Sequence, residues 1–204
     1  MTFRDWLLHR PVAFAFFNFL INVNGRSDEI INDYIRPLPN NLVVDVACGN
    51  GEYSTKFKAA KYIGVDLNPA YIEYAQKHYS EYGKFVCADV SDLSSVLSGN
   101  KIDIVLLIGV LHHLTDDQAK SMLHDVSKHL APTGRVISVD PVFTPDQGLT
   151  ARLLAAADRG KYVRLINDHR RILEESLVIT QSEIREDWLR IPYTHYVCVS
   201  QLVN

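Results

Sequence analysis

Between residues 41 and 140, short apolar runs alternate with segments whose apolar residues recur every three or four positions. This rhythm predicts a parallel sheet covered by helices. The runs at 42–47, 62–66, 84–88, 102–108 and 135–139 are rich in Val and Ile and mostly unalternating, as strands buried on both faces are. Helix signals fall between them. Asn68 followed by Pro69 marks a start, after which Ile72, Ala75 and Tyr79 continue at helical spacing. Thr115 with Gln118 forms a capping box ahead of Met122, Val126 and Leu130. Pro132 and Gly134 are expected to close that helix and turn the chain into the next strand.

After residue 140 the rhythm breaks. Segment 141–166 holds an amphipathic piece around Leu149, Leu153 and Leu154 and then the polar run Asp158-Arg159-Gly160-Lys161-Tyr162-Val163-Arg164. A helix is expected from Asn167. Two strand-like stretches near 177–188 and 194–202, joined around Ile191-Pro192, read as an antiparallel hairpin finishing the sheet. The fifth strand ends on the sheet's carboxyl edge and the next helix must start there, so 141–166 should lie over that edge, where open α/β sheets bind ligands.

The apolar stretch at 11–23 is shorter than the roughly 20 residues a membrane-spanning helix needs, and no small-residue cleavage site follows it. It reads as a buried helix. Its aromatic residues, with Trp6, Phe14, Phe16, Phe17 and Phe19, suit core packing first, and otherwise closure of the site, a dimer face or a lipid-like acceptor. The expected organisation is one domain over 1–204. It comprises a helical cap (1–37), a ligand-binding core (38–140), a covering insertion (141–166) and a closing helix with hairpin (167–204).

Composition narrows the partners. At 204 residues, one domain is the prior, and 21 Lys and Arg against 24 Asp and Glu give a net charge of −3, without a broad basic field for a phosphate backbone. Cys48, Cys87 and Cys198 are odd in number and include no C-x-x-C pair, which fits a reducing, cytoplasmic setting. His124 and His129 are five apart, off the three-or-four spacing that shares a helix face, so no metal site is expected.

The densest signal is Val44-Asp45-Val46-Ala47-Cys48-Gly49-Asn50-Gly51, closing the first strand. Gly49 and Gly51 permit a tight turn and close approach of a ligand to bare backbone, with helix amides pointing at it. The second strand ends in Asp66, suited to accepting both hydroxyls of a ribose, and the third in Asp89, suited to accepting from an adenine amino group. Singly, Asp45 could cap a turn, Asp66 could cap a helix and Asp89 could be solvated. Three acids at successive strand ends favour adenosine binding. A nicotinamide enzyme would show G-x-G-x-x-G, whereas Glu52-Tyr53-Ser54 follow Gly51. Without a pyrophosphate to cradle, Asp45 makes better sense as the partner, directly or through water, of a ligand ammonium.

These residues resemble the class I S-adenosylmethionine-dependent methyltransferases. Asp45–Gly51 matches that family's first motif, an acid followed by a G-x-G turn, and Asp66 and Asp89 match its ribose and adenine acids. The resemblance covers about 38–140 and, less closely, the closing hairpin. It implies a doubly wound, Rossmann-like α/β sheet of seven strands with an antiparallel C-terminal hairpin. S-adenosylmethionine would then be held by Asp45, Ala47, Gly49, Gly51, Asp66, Leu67, Asp89, Val90, Ile108 and Gly109. A longer match, through residues 109–114, Asp140-Pro141, 158–164 and 191–195, is similar to a subgroup of small bacterial methyltransferases.

Methyl transfer is an in-line displacement in which nucleophile and carbon are held about 3–3.5 Å apart. A base matters only if the acceptor arrives protonated, and histidine suits that task near neutral pH. His112 and His113 follow Gly109 at the end of the fourth strand, as base, acceptor-positioning donor or structural residues, with His113 expected nearer the methyl. By resemblance, amide and adenine-amino methylating enzymes carry Asn/Asp-Pro-Pro-aromatic after that strand, where Ile108-Gly109-Val110-Leu111 stands here. No cysteine follows a proline, as it would in cytosine C5 enzymes. Arg159, Tyr162 and Arg164 are expected to face the pocket and bind an anionic small-molecule acceptor, the alternative being a solvated loop in which Asp158 pairs with Arg159 or Arg164. The expected function is methylation of a small molecule. A tRNA or other nucleic-acid methyltransferase and a noncatalytic cofactor-binding protein are kept as alternatives, and the oligomeric state is open.

Overall fold

The computed structural model describes residues 26–158 and 160–203. The aromatic-rich stretch before Arg26, and Arg159, lie outside the described residues. In chain order the elements are α1 (Arg26–Glu29), running on through a π-helical turn at Ile30–Ile35, then β1 (Leu42–Val46), β2 (Lys61–Asp66), α2 (Pro69–Tyr79), β3 (Lys84–Cys87), α3 (Leu93–Leu97) and β4 (Ile102–Ile108). They continue as α4 (Asp116–His129), β5 (Leu130–Phe143), α5 (Leu149–Ala156), β6 (Arg164–Leu165), α6 (Ile166–Glu174), β7 (Leu177–Arg185) and β8 (His195–Leu202).

The sheet runs β3-β2-β1-β4-β5-β8-β7, parallel from β3 to β5 and antiparallel through β8 and β7. This is the doubly wound sheet with its closing hairpin. An eighth strand, β6, adds two residues beside Val142 and Phe143 of β5. Strand order reverses between β1 and β4, which makes their carboxyl ends the topological switch point. Val44, Val105, Leu107 and Val136 enter one apolar cluster with α3, α4 and α6, while Val43, Ile104, Leu106 and Ile137 enter a second with Ile30, Tyr34 and α2. Adjacent residues pointing to opposite, equally buried layers explain why the runs do not alternate.

Local signals set the helix starts. Asn68 accepts from Ala70 N at 3.0 Å with Pro69 at the first position, and Thr115 and Gln118 cap reciprocally. Three expectations need correction. Leu130 already pairs with Ile102, so β5 begins before Pro132 and carries an irregularity there. Gly134 is required by packing, since a Cβ would meet Ile102 O at 2.7 Å. The glycine turn leads into a 3-10 segment (Glu52–Lys56), not an α-helix, which removes the helix-amide argument made for it. No helix among the described residues is long and apolar enough to cross a membrane.

Candidate active site

The β1–β3 side is assembled from backbone turns and strand-end acids. Past Val46 the chain enters the left-handed region at Ala47 (φ 58°), Gly49 (φ 55°) and Gly51 (φ 79°). A non-glycine residue there is strained, and Ala47 is exposed at the carboxyl edge. Gly49 N donates to Asp66 Oδ2 at 2.9 Å and Asn68 N to Oδ1 at 2.8 Å, so this half-buried carboxylate braces two turns. Each oxygen keeps acceptor capacity for one more donor. Asp89 is exposed, accepts from Ser91 N at 2.9 Å and caps a short 3-10 turn. Leu67 is exposed beside it and Val90 half-buried.

Two residues of the first motif are held by contacts within the protein. A Cβ on Gly51 would meet Ala75 Cβ and Phe85 Cε1, both at 2.7 Å, so this glycine serves packing against α2 and β3. Asp45 is 4% exposed and accepts a 2.5 Å hydrogen bond from Tyr62 OH on Oδ2, which holds one of its two carboxylate oxygens. Burial, reinforced by Asp66 and partly offset by the Tyr62 hydroxyl, pushes its pKa up to about 7. At the end of β4, Ile108 is half-buried, and Gly109 (φ 72°) donates to Val139 O at 2.7 Å. Among the described residues, a Cβ there would meet only His112 Cε1, at 3.7 Å.

On the β4–β5 side, buried charges interlock. His112 Nδ1 lies 2.7 Å from Asp140 Oδ1, which also accepts from His112 N at 3.1 Å. Its Nε2 lies 3.3 Å from Asp158 Oδ1. Asp158 in turn accepts from Gly160 N at 2.7 Å and from Tyr193 OH at 2.5 Å. Burial alone would lower the His112 pKa, but the two carboxylates outweigh it and raise it to about 9. Burial would raise that of Asp158, yet bonds from His112, Tyr193 and Gly160 hold it below the usual carboxylate range. His112 is therefore an imidazolium at neutral pH and already committed at both nitrogens. His113 is exposed on the same turn, its ring 4.1 Å from that of His112.

Arg164 is corrected outright. It is 8% exposed, and its guanidinium donates to Leu111 O at 2.7 Å, Leu114 O at 2.6 Å and Asp116 Oδ1 at 2.8 Å, which clamps the turn after β4 and leaves little for an acceptor. Asp158 pairs with His112, and Arg164 pairs with Asp116 and not with Asp158. Tyr162 is 40% exposed and its backbone N donates to His112 O at 3.0 Å. Asp140, Asp158, Tyr193 and His195 were not singled out as site residues. Asp140 carried a signal, because it follows the fifth apolar run as Asp66 closes the second and Asp89 follows the third. Among the described residues, Asp140 Oδ2, His169 Nε2 and His195 Nδ1 are buried without a hydrogen-bond partner, spare capacity that water or a polar ligand would fill.

Comparison with known proteins agrees with this geometry. Residues 43–134 match the family model described as "Methyltransferase domain". The chain is 28% identical over 127 residues to a tRNA U34 carboxymethyltransferase of Campylobacter lari, covering 58% of this chain and 41% of that protein. It spans less than half the length of the curated relatives it matches. Among solved structures, the N-methyltransferase NodS of Bradyrhizobium japonicum with S-adenosyl-L-homocysteine superposes with a TM-score of 0.68 at 14% identity, covering 88% of this chain and 86% of that one. A TehB-like SAM-dependent methyltransferase from Corynebacterium glutamicum gives 0.63 at 17% identity, covering 89% of each. At these identities the shared feature is the fold.

Proposed function

Because residues 43–134 carry a methyltransferase domain on the class I, S-adenosylmethionine-dependent fold, we propose that the chain methylates a small-molecule acceptor held beneath 141–165. S-adenosylmethionine, when bound, supplies a methyl group already activated by its sulfonium. The chain's residues then bind and align. Asp66 accepts the ribose hydroxyls with the capacity left on its two oxygens, and Asp89 accepts from the adenine amino group. Leu67 and Val90 flank the base, and the backbone at Ala47, Gly49, Ile108 and Gly109 lines the rest. A ligand ammonium near Asp45 would favour its ionised form.

The observation that carries the small-acceptor reading is the fastening of 141–165 across the turn after β4, through Asp158, Tyr162 N and Arg164. A site covered in this way shields its reactants from water and suits a compact acceptor. Buried Asp140 fixes the His112 ring. His113, exposed beside it, is the proposed base where the acceptor arrives protonated. Arg159 and Tyr162 are the proposed contacts to an anionic group. Free Cys48, Cys87 and Cys198 fit a cytoplasmic setting.

The Campylobacter lari relative, named for a tRNA substrate, favours RNA as the second reading. Labelled-methyl transfer from S-adenosylmethionine into fractionated cell extract separates the two. Label in the small-molecule fraction supports the first, and label confined to RNA or protein overturns it. Cofactor binding without transfer into any fraction identifies a noncatalytic protein.

A further inference from the structure

We propose that Asp158 and His112 form a latch holding the 144–158 part of the covering segment to the turn at 109–115, so that this part loosens when one ion pair breaks while Tyr162 N and Arg164 keep 160–165 in place. The roles given to the two sides rest on the methyl-transfer reading; the contact between them does not.

The two carboxylates on His112 are unequal. Asp140 comes from β5, its side chain is fully buried and its bond is 2.7 Å. Asp158 comes from the covering segment, its side chain is 27% exposed and its contact is 3.3 Å. Breaking the second strands no charge in the interior, because His112 keeps Asp140 while Asp158 turns toward water it already touches. The first fixes the imidazolium to the sheet; the second is the releasable one. Surrounding contacts aim Asp158 at that ring. Gly160 N and Tyr193 OH donate to it. A Cβ on Gly160 would overlap His112 Cδ2 and approach His112 O at 2.6 Å, so the segment can lie this close only as glycine.

The latch follows the charge of His112. Of the neighbours facing it, His169 on α6 and His195 on β8 are held neutral by burial, the latter pushed down to about 3. Tyr193, buried beside Asp158, is raised above the ordinary phenol range. Asp140 and Asp158 are the anionic partners, and Arg164 is a cation beyond His169. Among the described residues, His113 is the other titratable neighbour, its ring tilted 40° to that of His112, and the H113Q protein is measured beside wild type as a control for its titration. Since the folded pKa of His112 lies above its unfolded value near 6.5, the fastening is complete below pH 6.5 and is lost as pH rises through about 9.

Amide hydrogen exchange over 144–158, corrected for intrinsic rate between pH 6.5 and 10, tests this. Protection should fall at least tenfold as pH rises through about 9. D158N should lower it at least tenfold at pH 7 and flatten the pH profile, and Y193F should lie between. A flat wild-type profile while His112 titrates by NMR, or wild-type protection in D158N, overturns the latch; should D158N fail to fold, unchanged protection in Y193F does so. Calorimetry with S-adenosyl-L-homocysteine on the same proteins keeps the readings apart, since absent binding with an intact latch counts against methyl transfer alone.

Discussion

At the ends of β2 and β3 the carboxylates of Asp66 and Asp89 take backbone amides from nearby turns and keep a face toward solvent, whereas within β5, three residues before its end, Asp140 is buried and tied to His112. One side of the sheet's edge is held by the chain's own turns and left open. The other is closed by partners from distant segments, Asp158 with His112 and Tyr193, and Arg164 with Leu111 and Leu114. The difference separates two tasks. On the proposed function, preset acceptors would read the cofactor and breakable ionic contacts would hold the cover over the acceptor.

Variants at four positions should act on the two sides differently. Gly51→Ala carries the largest effect, because its Cβ would strike Ala75 and Phe85 and its φ of 79° is unfavourable for alanine. Overpacking and backbone strain together should cost about 2–5 kcal/mol in denaturant unfolding. Asp66→Ala should weaken S-adenosyl-L-homocysteine binding by about 1.5–3 kcal/mol in calorimetry, the range for hydrogen bonds to a charged group. Arg164→Met should lower stability by about 1–3 kcal/mol through the unpaired carbonyls of Leu111 and Leu114, yet leave cofactor affinity nearly intact. A loss of cofactor affinity as large as that in Asp66→Ala would merge the two sides. Asp89→Asn, at an exposed cap, should cost under about 1 kcal/mol in stability.

What could be read from the sequence follows the same division. The five strands of the parallel half, the caps at Asn68 and Thr115, the hairpin and the acids at 66 and 89 are local or periodic features that the pattern of residues exposes directly, whereas the order of the strands was implied only by the family resemblance. The Tyr62 hydroxyl bonded to Asp45 was not legible, because Tyr62 lies 17 residues away on β2 and only the parallel pairing of β1 and β2 brings the two together. Arg164 resembled an anion-binding residue because its use depends on carbonyls at 111 and 114, and a sequence does not show which way carbonyls point. The Asp158–His112 contact joins two elements through a segment with no periodicity. Asp140 was legible by its place after the fifth apolar run and went unused.

The central claim is that the β1–β3 turns bind the cofactor independently of the ionic fastening over β4 and β5. Titration of S-adenosyl-L-homocysteine into wild type, Asp66→Ala and Asp158→Asn at pH 7 tests it most directly. Binding by wild type, a tenfold or greater loss in Asp66→Ala and an affinity within about threefold of wild type in Asp158→Asn is the predicted result. Absence of binding by wild type, or equal losses in both variants, would contradict it.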